Sequence, residues 1–147
     1  MSKTIKHTVD YPHAPSEVWA YLTKPELIEQ WLMKTNFEPN VGADFTFTTK
    51  PLPQFNFDGV AYCKVLEIVP LKHLSYTWKG GPGNGEFTLD SIVEWTLEET
   101  KNGSRLTIEH SGFKQTAEIM FEAMNNGWLR NMEKISTLIT EKNGTNA

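Results

Sequence analysis

The final stretch of the chain limits everything that can be built around it. From Gln115 to Lys142 the residues Ala117, Phe121, Met124, Trp128, Met132, Ile135 and Ile139 recur at intervals of three or four, the spacing of a helix with one apolar face. At 1.5 Å per residue such a helix is ~42 Å long, more than the ~30 Å width of a small domain. It must cross the whole molecule, and its apolar face needs an apolar surface of matching length on another element. Asn125-Asn126-Gly127 interrupts it. Glycine in a helix interior costs about 1 kcal/mol relative to alanine, so a kink or restart is expected there. Residues 143–147 are expected to fray.

The matching surface is a sheet. Residues 3–11 alternate in polarity, and the same period of two returns at 44–50, 59–69, 73–79, 88–99 and 104–112, so about six strands are predicted. Short connections make consecutive strands antiparallel hairpins. The clearest is Lys101-Asn102-Gly103-Ser104, where Asn-Gly supplies the positive φ angles of a tight turn. Lys64 and Glu67 fall on opposite parities, so an extra residue at Val65 or Leu66, a β-bulge, would keep both charges in solvent. Two short helices interrupt the strands early. Pro15 opens one carrying Val18, Trp19 and Leu22; Thr23-Lys24-Pro25-Glu26 has the spacing of a capping box opening a second through Leu27, Ile28, Trp31 and Leu32. The expected class is α+β: a curved antiparallel sheet of about six strands around a long C-terminal helix, with two short helices after the first strand.

Composition narrows the function. A chain of 147 residues with 39% hydrophobic content is expected to be one domain, 1–147, burying roughly 70% of its unfolded surface without disulfide or metal. Cys63 is the one cysteine, and the first residues have no apolar signal-peptide core, so a reducing, cytoplasmic setting is expected. The sequons at Asn102 and Asn143 are then chance matches. No run approaches the ~20 apolar residues of a membrane span. A net charge of −4 without a basic cluster argues against nucleic acid. His7, His13, His73 and His110 are scattered, without the spacing of a metal site, and no cofactor is implied.

Strand parity places Phe45, Phe47, Leu74, Tyr76, Trp78, Val93, Trp95, Leu97, Leu106, Ile108 and His110 on the inward face, facing Phe121, Met124, Trp128 and Met132 of the helix. Bulky rings and flexible methionines beside a glycine line adaptable apolar pockets as well as cores. The candidate cavity set is therefore Phe45, Phe47, Tyr76, Trp78, Trp95, His110, Phe121, Met124, Trp128 and Met132. Most of these rings are expected to serve as core. An unpaired buried polar group costs ~1–3 kcal/mol, so His110 needs a protein, water or ligand partner; a satisfied core histidine is the expectation. His7 shares the inward parity of its strand, whereas Glu94, Glu98 and Glu109 point outward, so no carboxylate completes a catalytic array with the histidines. Gly80-Gly81-Pro82-Gly83-Asn84-Gly85 lacks the lysine of a phosphate loop and leads into a strand. With Pro51–Phe57 opposite, it is expected to form a cavity rim. Cys63 is expected to be a packed residue.

Several motifs resemble one family throughout the chain. Pro15-Ser16-Glu17-Val18-Trp19, Leu22-Thr23-Lys24-Pro25-Glu26, Trp31, Phe37-Glu38-Pro39 with Gly42, Val65 to Pro70, Leu74 to Trp78, Val93 to Leu97, Arg105 to Phe113 and Gly127-Trp128 are similar, in order, to bacterial relatives of the activator of heat-shock-protein-ninety ATPase. Ala43 stands where members often carry a second glycine. The family belongs to the START-like, birch-pollen-allergen-like superfamily. That resemblance implies a helix-grip fold and an apolar cavity between sheet and helix, hence binding of an apolar or aromatic small molecule as the first expectation. Cyclases and hydrolases among wider relatives make an enzyme the alternative, with His110 and Tyr76 as acid/base candidates. A chaperone partner ranks third.

Overall fold

A computed structural model describes residues 3–55, 57–83, 85–113 and 118–145. Its elements run β1 (Lys3–Tyr11), α1 (Pro15–Thr23), α2 (Pro25–Trp31), β2 (Lys34–Thr35), β3 (Asp44–Thr48), β4 (Val60–Val69), β5 (His73–Gly80), β6 (Leu89–Thr100), β7 (Gly103–Phe113) and α3 (Glu118–Thr145). The strands form one antiparallel sheet in the order β1-β7-β6-β5-β4-β3-β2, and α3 packs along its inward face: an α+β helix-grip arrangement.

Alternation explains the sheet. Along β6 the pattern is strict, with Leu89, Ser91, Val93, Trp95 and Leu97 buried and the residues between them exposed, because one face meets α3 and the other meets water. The bulge lies where charge parity requires it: Val65 pairs with Tyr76 and Glu67 with Ser75, leaving Leu66 as the extra residue, 41% exposed. Lys64 and Glu67 are both exposed.

Four expectations need correction. The sheet has seven strands: β2 is two residues long, paired through Lys34 with Thr48 and Thr35 with Phe47, too short to show a period. Thr23 caps nothing. It ends α1, its hydroxyl donating to the Trp19 carbonyl at 2.9 Å, while extended Lys24 occupies the N-cap of α2 without a side-chain bond; a residue before proline is held out of the helical region. The β6–β7 turn is displaced by one residue, since Thr100 pairs with Gly103 and the loop is Lys101-Asn102. Gly103 is required for another reason: a Cβ there would lie 2.1 Å from the Tyr11 carbonyl. Finally, α3 is continuous through Asn125-Asn126-Gly127 to Thr145, without a restart; residues 146 and 147 of the expected frayed tail lie outside the described residues. Burial of Trp128, Met132, Ile135 and Ile139 outweighs the ~1 kcal/mol glycine penalty, as tertiary packing commonly does. The expected start of this helix at Gln115 lies outside the described residues.

Side-chain bonds tie α3 to β1. Tyr11 donates its hydroxyl to the Met132 carbonyl at 2.6 Å, and His7 Nε2 donates to the Asn125 carbonyl at 2.8 Å, so His7 does face inward. Among the described residues no helix is long and apolar enough to cross a membrane, and no group of three or more His, Cys, Asp or Glu is placed to hold a metal ion.

Candidate functional site

The inward aromatic residues touch one another more than they enclose space. Phe45 meets Phe37, Phe47 and Tyr76 edge-on at ring separations of 5.0, 5.3 and 5.2 Å. Phe47 stacks on Trp78 at 5.0 Å, Trp78 meets Trp128 at 5.6 Å, and Trp128 meets Trp95 at 5.5 Å. Trp31, from α2, completes the series against Trp95 at 5.8 Å. Such contacts add ~0.5–1.5 kcal/mol each beyond the area they bury. Phe121 packs on Phe113 at 5.1 Å.

A polar chain runs through this cluster. The Trp128 indole N–H donates to His110 Nδ1 at 3.0 Å, and Ser91 Oγ donates to the Trp78 carbonyl at 2.8 Å. Those two bonds decide the histidine tautomer. With Nδ1 accepting and the serine proton already committed, His110 Nε2 carries the hydrogen and donates it to Ser91 Oγ across 2.8 Å. His110 is fully buried, and burial pushes its pKa down to about 3. It is thus a neutral core histidine with both ring nitrogens engaged. Taking up a proton would forfeit the bond from Trp128. Tyr76 Oη accepts from Trp95 Nε1 at 2.9 Å, and burial pushes its phenol pKa up. Cys63 is buried, its thiol likewise pushed up.

Open space lies at one end of this cluster. A cavity of about 290 Å³ is lined by Met33, Thr49, Leu52, Phe57, Trp78, Gly80, Leu89, Met120, Ala123, Met124 and Gly127. Its walls come from the ends of β5 and β6, the loops after α2 and β3, and the first half of α3. Of the ten sequence candidates, Trp78 and Met124 line it. Phe45, Phe47, Tyr76, Trp95, His110, Trp128 and Met132 pack behind as core, and Phe121 sits beside Phe113. Neither His110 nor Tyr76 reaches the cavity wall. The rim residues Leu52 and Phe57 bridge to one another, and the Asp58 N–H donates to the Gly81 carbonyl at 2.8 Å, joining the loop after β3 to the glycine-rich hairpin. Asn84 of that hairpin lies outside the described residues.

Some of the lining was readable. Leu89 shares the parity of Val93 and Trp95, and Met120, Ala123, Met124 and Gly127 occupy one helical face. Thr49 shares the parity of Phe45 and Phe47 just past the end of β3, whereas Met33 carries no such signal, because it lies in an irregular segment whose direction only the tertiary fold sets.

Comparison with known proteins agrees with the fold. Residues 12–140 match a family described as activator of Hsp90 ATPase homolog 1-like protein. The crystal structure of MLL2253 from Mesorhizobium loti is 35% identical, with a TM-score of 0.83 over 95% of this chain and 98% of that one. The solution structure of BH1534 from Bacillus halodurans is 25% identical, with a TM-score of 0.74 over 92% and 95%. CalU16 from Micromonospora echinospora is also 25% identical, with a TM-score of 0.67 over 96% and 77%. The chain matches no curated protein.

Proposed function

The chain belongs to the activator of Hsp90 ATPase homolog 1-like family, and from that premise we propose that it binds an uncharged, apolar small molecule in the cavity between sheet and helix. Members of this fold family bind small hydrophobic ligands or act as cyclases. The observation that carries the binding reading is the lining: none of its eleven residues is charged, and Thr49 is the one that carries a hydroxyl. An apolar cavity of ~150 Å³ holds benzene. About twice that volume suits a two-ring compound or a medium-length alkyl chain. Trp78 and Met124 contact the guest in this reading, and Phe47, His110 and Trp128 hold the Trp78 ring in place. Acid/base catalysis by His110 or Tyr76 has less support, since both are committed within the core. A thermal-shift series tests the proposal. Naphthalene-sized uncharged compounds are expected to raise the Tm, a ligand at a hundred times its Kd adding ~2.7 kcal/mol. Matched carboxylates should have no effect, because none of the described lining residues is a cation to pair them. Absence of stabilisation by every uncharged compound refutes the reading.

A further inference from the structure

Three tryptophans of the core spend their indole N–H inside the protein: Trp31 on the Tyr21 carbonyl at 2.7 Å, Trp95 on Tyr76 Oη at 2.9 Å and Trp128 on His110 Nδ1 at 3.0 Å. Trp78 is 4% exposed and the only one of these four to line the cavity. Its Nε1 has no partner among the described residues. Among the described residues no side-chain nitrogen or oxygen sealed from solvent lacks a hydrogen bond, so Trp78 Nε1 keeps accessible surface. Phe47, His110 and Trp128 pack against the ring, and the cavity is open space that Trp78 lines.

We propose that Trp78 Nε1–H is the orienting hydrogen-bond donor of the cavity, and that the guest is an uncharged apolar carbonyl compound, a ketone, aldehyde or quinone, whose oxygen accepts from it. This rests on the binding role proposed above and narrows its ligand class. A buried indole N–H ordinarily finds a partner, and one left unmatched costs free energy. A carbonyl guest satisfies the donor; a hydrocarbon of the same shape desolvates it without compensation. The donor is also held rigid. The Trp78 carbonyl takes the Ser91 hydroxyl, Ser91 takes the His110 N–H, and His110 takes the Trp128 N–H, so Ser91, His110 and Trp128 are positioning residues for Trp78. Preorganisation of this kind lowers the ordering cost of binding.

The test pairs 2-acetylnaphthalene with 2-ethylnaphthalene, which differ in a C=O against a CH₂. The wild-type protein is expected to bind the ketone ~tenfold more tightly, the scale of one hydrogen bond to an otherwise unmatched donor. Trp78→Phe should bring the two affinities together. Because that variant loses packing as well, the ¹⁵N-labelled wild-type protein supplies a second readout: of five indole N–H resonances, one per tryptophan, one should move downfield with the ketone and not with the hydrocarbon. Equal affinities and an unmoved indole set overturn this inference while leaving the binding role intact. Failure of both compounds to bind overturns the binding role and this inference with it.

Discussion

Gly127 offers a substitution whose two effects have opposite signs. It sits in the middle of α3 without positive φ, an added Cβ meets no atom within 4 Å, and it lines the cavity. Replacing it by alanine therefore recovers the full helix-propensity difference, about 1 kcal/mol, with no steric cost to subtract. For a two-state chain of this length that corresponds to a Tm rise of roughly 3 °C. Differential scanning calorimetry and urea denaturation measure it, with the m-value unchanged if only stability has moved. Gly127→Leu keeps a good helix former and places a whole side chain into the open space. It should retain the stability of the alanine variant while losing binding of two-ring compounds. A lower Tm for Gly127→Ala would refute the reasoning at its root, since it would mean that α3 is bent at this point or that the face beside Gly127 is filled.

The other predictions concern the scaffold. His110 is held near a pKa of about 3 by burial, against 6.5 when unburied, so below pH ~6.5 the unfolded chain takes up a proton that the native protein refuses. Stability is then complete above pH ~6.5 and falls by about 1.4 kcal/mol per pH unit towards pH 3. Urea titrations of wild type and His110→Gln should diverge with that slope, because all other groups titrate in both, and parallel curves would exclude it. Gly103→Ala drives a methyl to 2.1 Å from the Tyr11 carbonyl and 2.7 Å from the His13 nitrogen. It should cost more than the ~1 kcal/mol of a typical point substitution and loosen β1 from β7; unchanged hydrogen-exchange protection of β1 would contradict this.

Local pattern was enough for much of the fold. The period of two in β3 to β7, the parity conflict at Lys64 and Glu67, and the helical stripe from Phe121 to Ile139 each state a local requirement that one arrangement satisfies, an antiparallel sheet packed along one long helix. Inward orientation was equally legible, so Trp78, Trp95, His110 and Trp128 were recognised as interior. Where local signals competed with long-range ones they misled. Thr23 had capping-box spacing, yet Pro25 governs the junction, and the Asn-Gly pair suggested the turn, yet close passage of β1 is what requires Gly103.

Parity assigned the rings to a common interior but could not divide that interior into filled and open volume. Which rings interlock depends on crossing angles and on loops distant in sequence: Met33 and Leu52 line the cavity, and Trp31 packs beside Trp95. Hydrogen bonding is decided at the same level. His110 was recognisable as a buried histidine needing partners, but its partners lie 19 and 18 residues away at Ser91 and Trp128, and their direction fixes its tautomer and its neutrality. The sequence by itself determined which side chains leave water, because that is a one-dimensional periodicity. Only the tertiary structure decided which of them leave room for something else, because voids and unshared donors belong to the packing of surfaces that the chain brings together from far apart.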